Sequence, residues 1–129
     1  MQILIPIDGT DASKRALDFG IEMAVQMDGN LHVVHFTNKP TDATETILDD
    51  ARTRLAAANI QSEPELTTLT IDVWNADRVG EEILDVVNEH GYDHVVMGHH
   101  EDGAVERAVF GSAAETVLRA EAVPMTIVP

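Results

Sequence analysis

Tyr92-Asp93-His94-Val95-Val96-Met97-Gly98-His99-His100-Glu101-Asp102-Gly103, separated by seven residues from Gly111-Ser112-Ala113-Ala114, is the stretch on which the reading of this chain turns. Val95-Val96-Met97 is an apolar, largely β-branched run that ends at Gly98, the pattern of a buried strand. A loop follows from His99 to Gly103, and Gly111-Ser112 opens a helical pattern from Ala113 to Arg119. Strand, glycine-bearing loop and helix N-terminus in that order offer unpaired backbone N–H groups to a bound anion, usually a phosphate. No other part of the chain has the marks of a reaction centre, so a small-molecule site is expected here.

Working outward, the same alternation of strand and helix recurs along the chain. Gln2 to Ile7 reads as a buried strand, broken by Asp8-Gly9-Thr10-Asp11, with Thr10 or Asp11 placed to cap a helix. Leu17, Ile21, Ala24 and Val25 give that helix its apolar spacing to about Met27, and Asp28-Gly29-Asn30 is a turn. Leu31 to Phe36 is a second strand. Thr41 or Asp42 caps a second helix whose stripe is Ile47, Leu48, Ala51, Leu55 and Ala58. Leu66 to Val73 alternates apolar residues with threonine, as a strand at a sheet edge does. A third helix carries Val79, Ile83, Val86 and Val87 inward and stops at His90-Gly91. The fourth strand, long loop and fourth helix come next, and Met125 to Val128 is a last short strand.

The order βαβαβαβαβ implies an α/β fold, a single-domain open twisted parallel five-stranded sheet with four helices on both faces, Rossmann-like in plan. In such sheets ligands sit beyond the carboxyl ends of the strands, where the strand order reverses. The turn at Asp8 to Thr10 and the loop after Gly98 are both at carboxyl ends.

A chain of 129 residues with 44% hydrophobic residues suffices for one core without disulfides. It has no cysteine, which removes thiol catalysis and cysteine-ligated metal and fits a cytoplasmic location. Neither a signal peptide nor a membrane span is expected. Acidic residues number 23 against 8 basic ones, a net charge of −15. Such a surface repels nucleic acid and anionic membrane. Acid-rich, lysine-poor composition (Lys14 and Lys39 are the two lysines) resembles that of halophilic archaeal proteins, whose high-salt cytoplasm screens the self-repulsion.

The standard motifs are absent. Gly98 and Gly103 have Walker A spacing, but Ala104-Val105 stand where lysine and a hydroxyl are needed. Asp8-Gly9-Thr10-Asp11 has one glycine, not the three of a dinucleotide fingerprint. Ser112 can serve a phosphate or simply cap its helix, and Arg107 can reach a phosphate or lie in solvent. Asp8 can meet a ribose hydroxyl or Mg²⁺, or bond its own turn. His94, His99, His100 and Asp102 form the densest set of potential metal ligands, but in no standard zinc spacing. His32 and His35 read as structural. With no nucleophile elbow either, nothing marks the chain as an enzyme.

Ile3-Leu4-Ile5-Pro6-Ile7-Asp8-Gly9-Thr10, Leu31-His32-Val33-Val34-His35-Phe36 and Tyr92-Asp93-His94-Val95-Val96-Met97-Gly98 resemble the three signature strands of the universal stress protein family. Val123-Pro124-Met125-Thr126-Ile127-Val128 resembles its last strand, so the likeness spans essentially the whole chain as one such domain. The resemblance implies a sheet ordered 3-2-1-4-5, a stress-response role without enzymatic activity, and a homodimer through the C-terminal strand. It also implies binding of ATP, with Mg²⁺, or of a related adenine nucleotide. Members that bind ATP carry Gly, two residues, Gly, nine residues, Gly, then Ser or Thr, and Gly98, Gly111 and Ser112 stand at that spacing. By the same resemblance Pro6, Ile7 and Phe36 lie near the adenine and Asp8 near the ribose or metal. Met97 and Gly98 border the nucleotide, while Gly111, Ser112 and Ala113 face the phosphates.

Glu101 departs from the pattern by replacing its second glycine. Glutamate resists the positive φ open to glycine, and its carboxylate repels a polyphosphate unless it turns outward or a cation intervenes. The alternative is a dimer of the same fold that binds no nucleotide and acts through protein partners. A hydrolase or nucleotidyl-transfer enzyme is a third class, disfavoured by the missing catalytic constellation.

Overall fold

Alternation along the central strands decides which helix covers which face of the sheet. The computed structural model describes residues 1–69, 76–98 and 112–129. Its elements are β1 (Gln2–Ile7), α1 (Asp11–Met27), β2 (Asn30–Thr37), α2 (Asp42–Ala57) and β3 (Glu65–Thr68), then α3 (Ala76–His90), β4 (His94–Gly98), α4 (Ser112–Arg119) and β5 (Met125–Val128). The five strands form one parallel sheet in the order β3-β2-β1-β4-β5, as the resemblance implies.

Ile3, Ile5 and Ile7 of β1 point to one face with Leu31, Val33 and Val96, where Ala16, Leu17, Ile21 and Ala24 of α1 and Ala51 and Leu55 of α2 cover them. Leu4, Val34, Phe36, Val95 and Met97 point to the other, under Ile83 and Val87 of α3 and Ala114 and Val117 of α4. Each face is therefore closed by two helices, and the inner strands are apolar on both sides, as a buried parallel sheet requires. Ile3, Leu4, Ile5, Val33, Val95 and Val96 are fully buried.

The helices begin and end where local chemistry says they should. Thr10 caps α1 in extended backbone, and its Oγ1 accepts the N–H of Ser13 at 3.2 Å. Asp28 closes that helix in the left-handed region at φ 52, donating its N–H to the Ala24 carbonyl. Thr41 is the N-cap of α2, and its N–H is received by Thr44 Oγ1 at 3.1 Å. Gly91, at φ +68, ends α3.

Three expectations are adjusted. Val25 is 62% exposed. It follows Ala24, which faces the core, and one residue on an α-helix rotates about 100° away from that direction. The edge strand β3 is shorter than its alternating pattern: it covers Glu65–Thr68, Leu69 is buried beyond it, and residues 70–73 lie outside the described set. Asn30, read as part of the turn, is the first residue of β2.

Candidate functional site

The strand order reverses between β1 and β4, and the carboxyl ends of these two strands carry the candidate site. The β1–β2 register runs along the whole of β1, from Gln2–Asn30 to Ile7–His35. Toward β4, the register pairs Ile3 with His94 and Leu4 with Val95 and goes no further among the described residues. Pro6 has no N–H with which to extend that ladder. Hydrogen bonding on this side of β1 thus stops short of the strand end, where a crevice can form.

Gly98 ends β4 directly against the start of α1. A Cβ at this position would lie 2.6 Å from the Ala12 carbonyl carbon and 2.7 Å from both the Ala12 oxygen and the Ser13 nitrogen. Only a residue without a side chain allows this backbone approach. Gly98 thus sits against the first turn of α1, which directly follows the turn that contains Asp8.

That turn is tied by its own hydrogen bonds. Asp8 Oδ1 accepts from the Thr10 N–H at 3.0 Å and from Thr10 Oγ1 at 2.7 Å. Thr10 Oγ1 accepts from the Ser13 N–H, and Ser13 Oγ accepts from the Asp8 N–H at 3.0 Å, closing a ring. Gly9 between them takes φ +82, a value that side-chain-bearing residues rarely adopt. Of the roles offered for Asp8 from sequence, the bond to its own turn is observed. One oxygen bonds its own turn, while Oδ2 takes no hydrogen bond among the described residues, and Asp8 is exposed. That free oxygen fits a ribose hydroxyl or a hydrated Mg²⁺.

The remaining sequence-chosen residues divide by face. Phe36 and Met97 are buried in the core under α3 and α4, with Ala113 of α4 packed against it. Pro6 is buried and belongs to the same face by alternation. Ile7 differs: its side chain enters the opposite core, under α1 and α2, and its carbonyl accepts from His35 Nδ1 at 2.7 Å. That bond fixes the proton on Nδ1 of the buried His35. Ser112 is the first residue of α4. Gly111 lies outside the described residues, as do His99, His100, Glu101, Asp102 and Arg107. Among the described residues no group of three or more histidine or carboxylate side chains is arranged to hold a metal.

One polar cluster escaped the sequence reading. His32 Nδ1 meets the Tyr92 hydroxyl and His32 Nε2 meets Glu65, with the His32 and Tyr92 rings stacked at 5.6 Å between centroids. The order is consistent with Tyr92 donating to Nδ1 and Nε2–H donating to the carboxylate. Burial first, and the Glu65 charge second, hold the Tyr92 hydroxyl above its usual pKa. The cluster sits at the amino ends of β2, β3 and β4, away from the crevice. Its members are 33 and 60 residues apart in sequence, so no local pattern announces it.

The sheet order, with its reversal between β1 and β4, and the glycine at the end of β4 define a doubly wound parallel α/β domain. The sequence matches the model of the universal stress protein family across residues 1–129, and the chain belongs to that family. The universal stress protein YxiE of Bacillus subtilis is 21% identical over 152 residues, covering 98% of this chain and 97% of its own. A universal stress protein from Archaeoglobus fulgidus, solved in complex with dAMP, superposes with a TM-score of 0.74 at 20% identity, over 100% of this chain and 98% of its own. Another universal stress protein, solved in complex with cAMP, gives 0.77 at 21% identity, over 99% and 95%. No helix among the described residues is long and apolar enough to cross a membrane.

Proposed function

We propose that this protein is a stress-response regulator that binds an adenine nucleotide, ATP with Mg²⁺ or a relative of it, in the crevice between the ends of β1 and β4. The observation that carries this reading is the approach of Gly98 to the Ala12 and Ser13 backbone, which sets the end of β4 against the start of α1 beside the Asp8 turn. Asp8 Oδ2 offers an acceptor at the ribose and metal position. By the family resemblance Gly111, Ser112 and Ala113 are assigned to the phosphates, and Pro6, Phe36, Met97 and Gly98 to the base side. Ile7 contributes backbone alone, because its side chain leaves for the other face. The complexes of relatives with dAMP and cAMP support an adenine nucleotide as the ligand class.

In this reading the nucleotide is a signal rather than a fuel, and the protein is a cytoplasmic homodimer joined through β5, adapted to high salt. The second reading, a dimer of the same fold that works through protein partners without nucleotide, is favoured by Glu101 alone. Comparing ATP titrations of the native chain and of Glu101→Gly separates the two. The proposed reading expects binding by both, tighter in the variant. Binding by neither rules it out.

A further inference from the structure

A cavity lies between α1 and α2, on the face of the sheet that these helices cover, with Gly9 and Ser13 of the Asp8 turn at its edge. Its volume is about 140 Å³, and Ile7, Leu17, Ile47 and Ala51 form its apolar wall, with Lys14 and Asp50 at its polar side. A pocket of about 150 Å³ lined by aliphatic side chains accommodates a benzene-sized molecule. Five or six apolar heavy atoms therefore fit here.

Among the described residues Arg52, Arg54, Arg78 and Arg119 pair with carboxylates, whereas Lys14, Arg15 and Lys39 form no ion pair, Arg15 bonding the Pro129 carbonyl instead. Of these three Lys14 alone is half-buried, and it stays unpaired although acids outnumber bases almost three to one. Arg54 supplies the reason. It binds Asp18 of α1 at 2.6 Å and Asp50 of α2 at 2.8 Å, and so occupies the carboxylate one turn beyond Lys14 as well as the one in the cavity wall. An ammonium left unpaired beside an apolar cavity is a receptor for an anion with an apolar body.

We propose that this cavity binds a small monocarboxylate with a branched aliphatic tail, the carboxylate on Lys14 and the tail against Ile7, Leu17 and Ile47. One lysine matches a single negative charge. A polyphosphate needs several convergent donors and no aliphatic wall, so the cavity differs in ligand class from the nucleotide site, although Gly9 and Ser13 of the Asp8 turn border it. An α-amino acid is less suited, because its ammonium finds Asp50 already held by Arg54.

Methyl NMR of the full chain, titrated with 4-methylpentanoate and with its uncharged amide at modest salt, tests this. The acid is expected to shift the methyls of Ile7, Leu17 and Ile47 saturably at millimolar concentration, with the amide roughly ten-fold weaker. Lys14→Gln is expected to weaken the acid by a similar factor. Arg54→Gln, which releases Asp18 and Asp50 toward Lys14, is expected to weaken it as well. Equal binding of acid and amide, or no saturable shift at those methyls, overturns the proposal. The acid–amide comparison on the native chain decides it even where a variant fails to fold.

Discussion

Ser13 holds Asp8 by its backbone: the Asp8 N–H donates to Ser13 Oγ at 3.0 Å, and the same serine, only 4% exposed, begins the first turn of α1. The loop that presents the Asp8 carboxylate is thus fastened to the helix that Gly98 touches. Ser13→Ala leaves that N–H without a partner at a part-buried position, a loss of about 1 kcal/mol. The expected result is a fall in Tm of roughly 3–5 °C, measured by calorimetry or circular dichroism. It should be accompanied by weaker nucleotide binding, because the Asp8 turn loosens. An unchanged Tm would show that the hydroxyl ring does not fasten the turn.

Gly98→Ala places a methyl 2.6 Å from the Ala12 carbonyl carbon, and backbone cannot rotate away as a side chain tip can. Either β4 or the start of α1 must move. Overpacking of this kind costs about 1–3 kcal/mol, so chemical denaturation should show a clearly lower midpoint. Nucleotide affinity should fall further than stability alone explains, since the displaced backbone borders the crevice. A variant as stable as the native chain contradicts the observed approach.

His94 makes stability depend on pH. Its ring is partly buried between β4 and β5, with Nε2 at 2.8 Å from Thr126 Oγ1, and burial lowers its pKa below the usual histidine value. The unfolded chain takes up a proton near about 6.5, the folded chain only at lower pH. Between those values the unfolded state holds more protons, so the contribution is complete above the unfolded value and is lost as pH falls to the folded one. Native Tm should therefore drop from pH 7 toward pH 5 more steeply than that of His94→Gln, compared in matched buffers. Parallel profiles would remove His94 as the cause.

Ile127→Pro tests the proposed dimer. Val95 N–H bonds the Pro124 carbonyl, so Pro124, Thr126 and Val128 turn their backbone groups toward β4. Met125 and Ile127 then direct theirs to the open edge, where a second copy can pair. Proline at 127 removes an outward donor and leaves the β4 ladder intact. Light scattering should find the native chain dimeric and the variant monomeric. A native monomer, or a dimeric variant, contradicts pairing through β5.

Much of this architecture was legible in the residues. The apolar runs Ile3-Leu4-Ile5 and Val95-Val96-Met97 announced strands buried on both faces, and Thr10, Thr41 and Gly91 marked helix ends by local chemistry. The strand order came from the likeness of those strands to a family, since periodicity does not encode which strands are neighbours. What stayed hidden depends on distant partners. The face that Ile7 occupies, the contact of His32 with Tyr92 and Glu65, and the release of Lys14 by Arg54 are all made between elements. Glu101, which bears most on nucleotide binding, lies outside the described residues.

Isothermal titration calorimetry of the native protein with ATP and Mg²⁺ in high KCl tests the central claim most directly. The account predicts a saturable heat at millimolar nucleotide or below, one site per chain, reduced by Gly98→Ala. No heat of binding at millimolar nucleotide, with the protein folded, would contradict it.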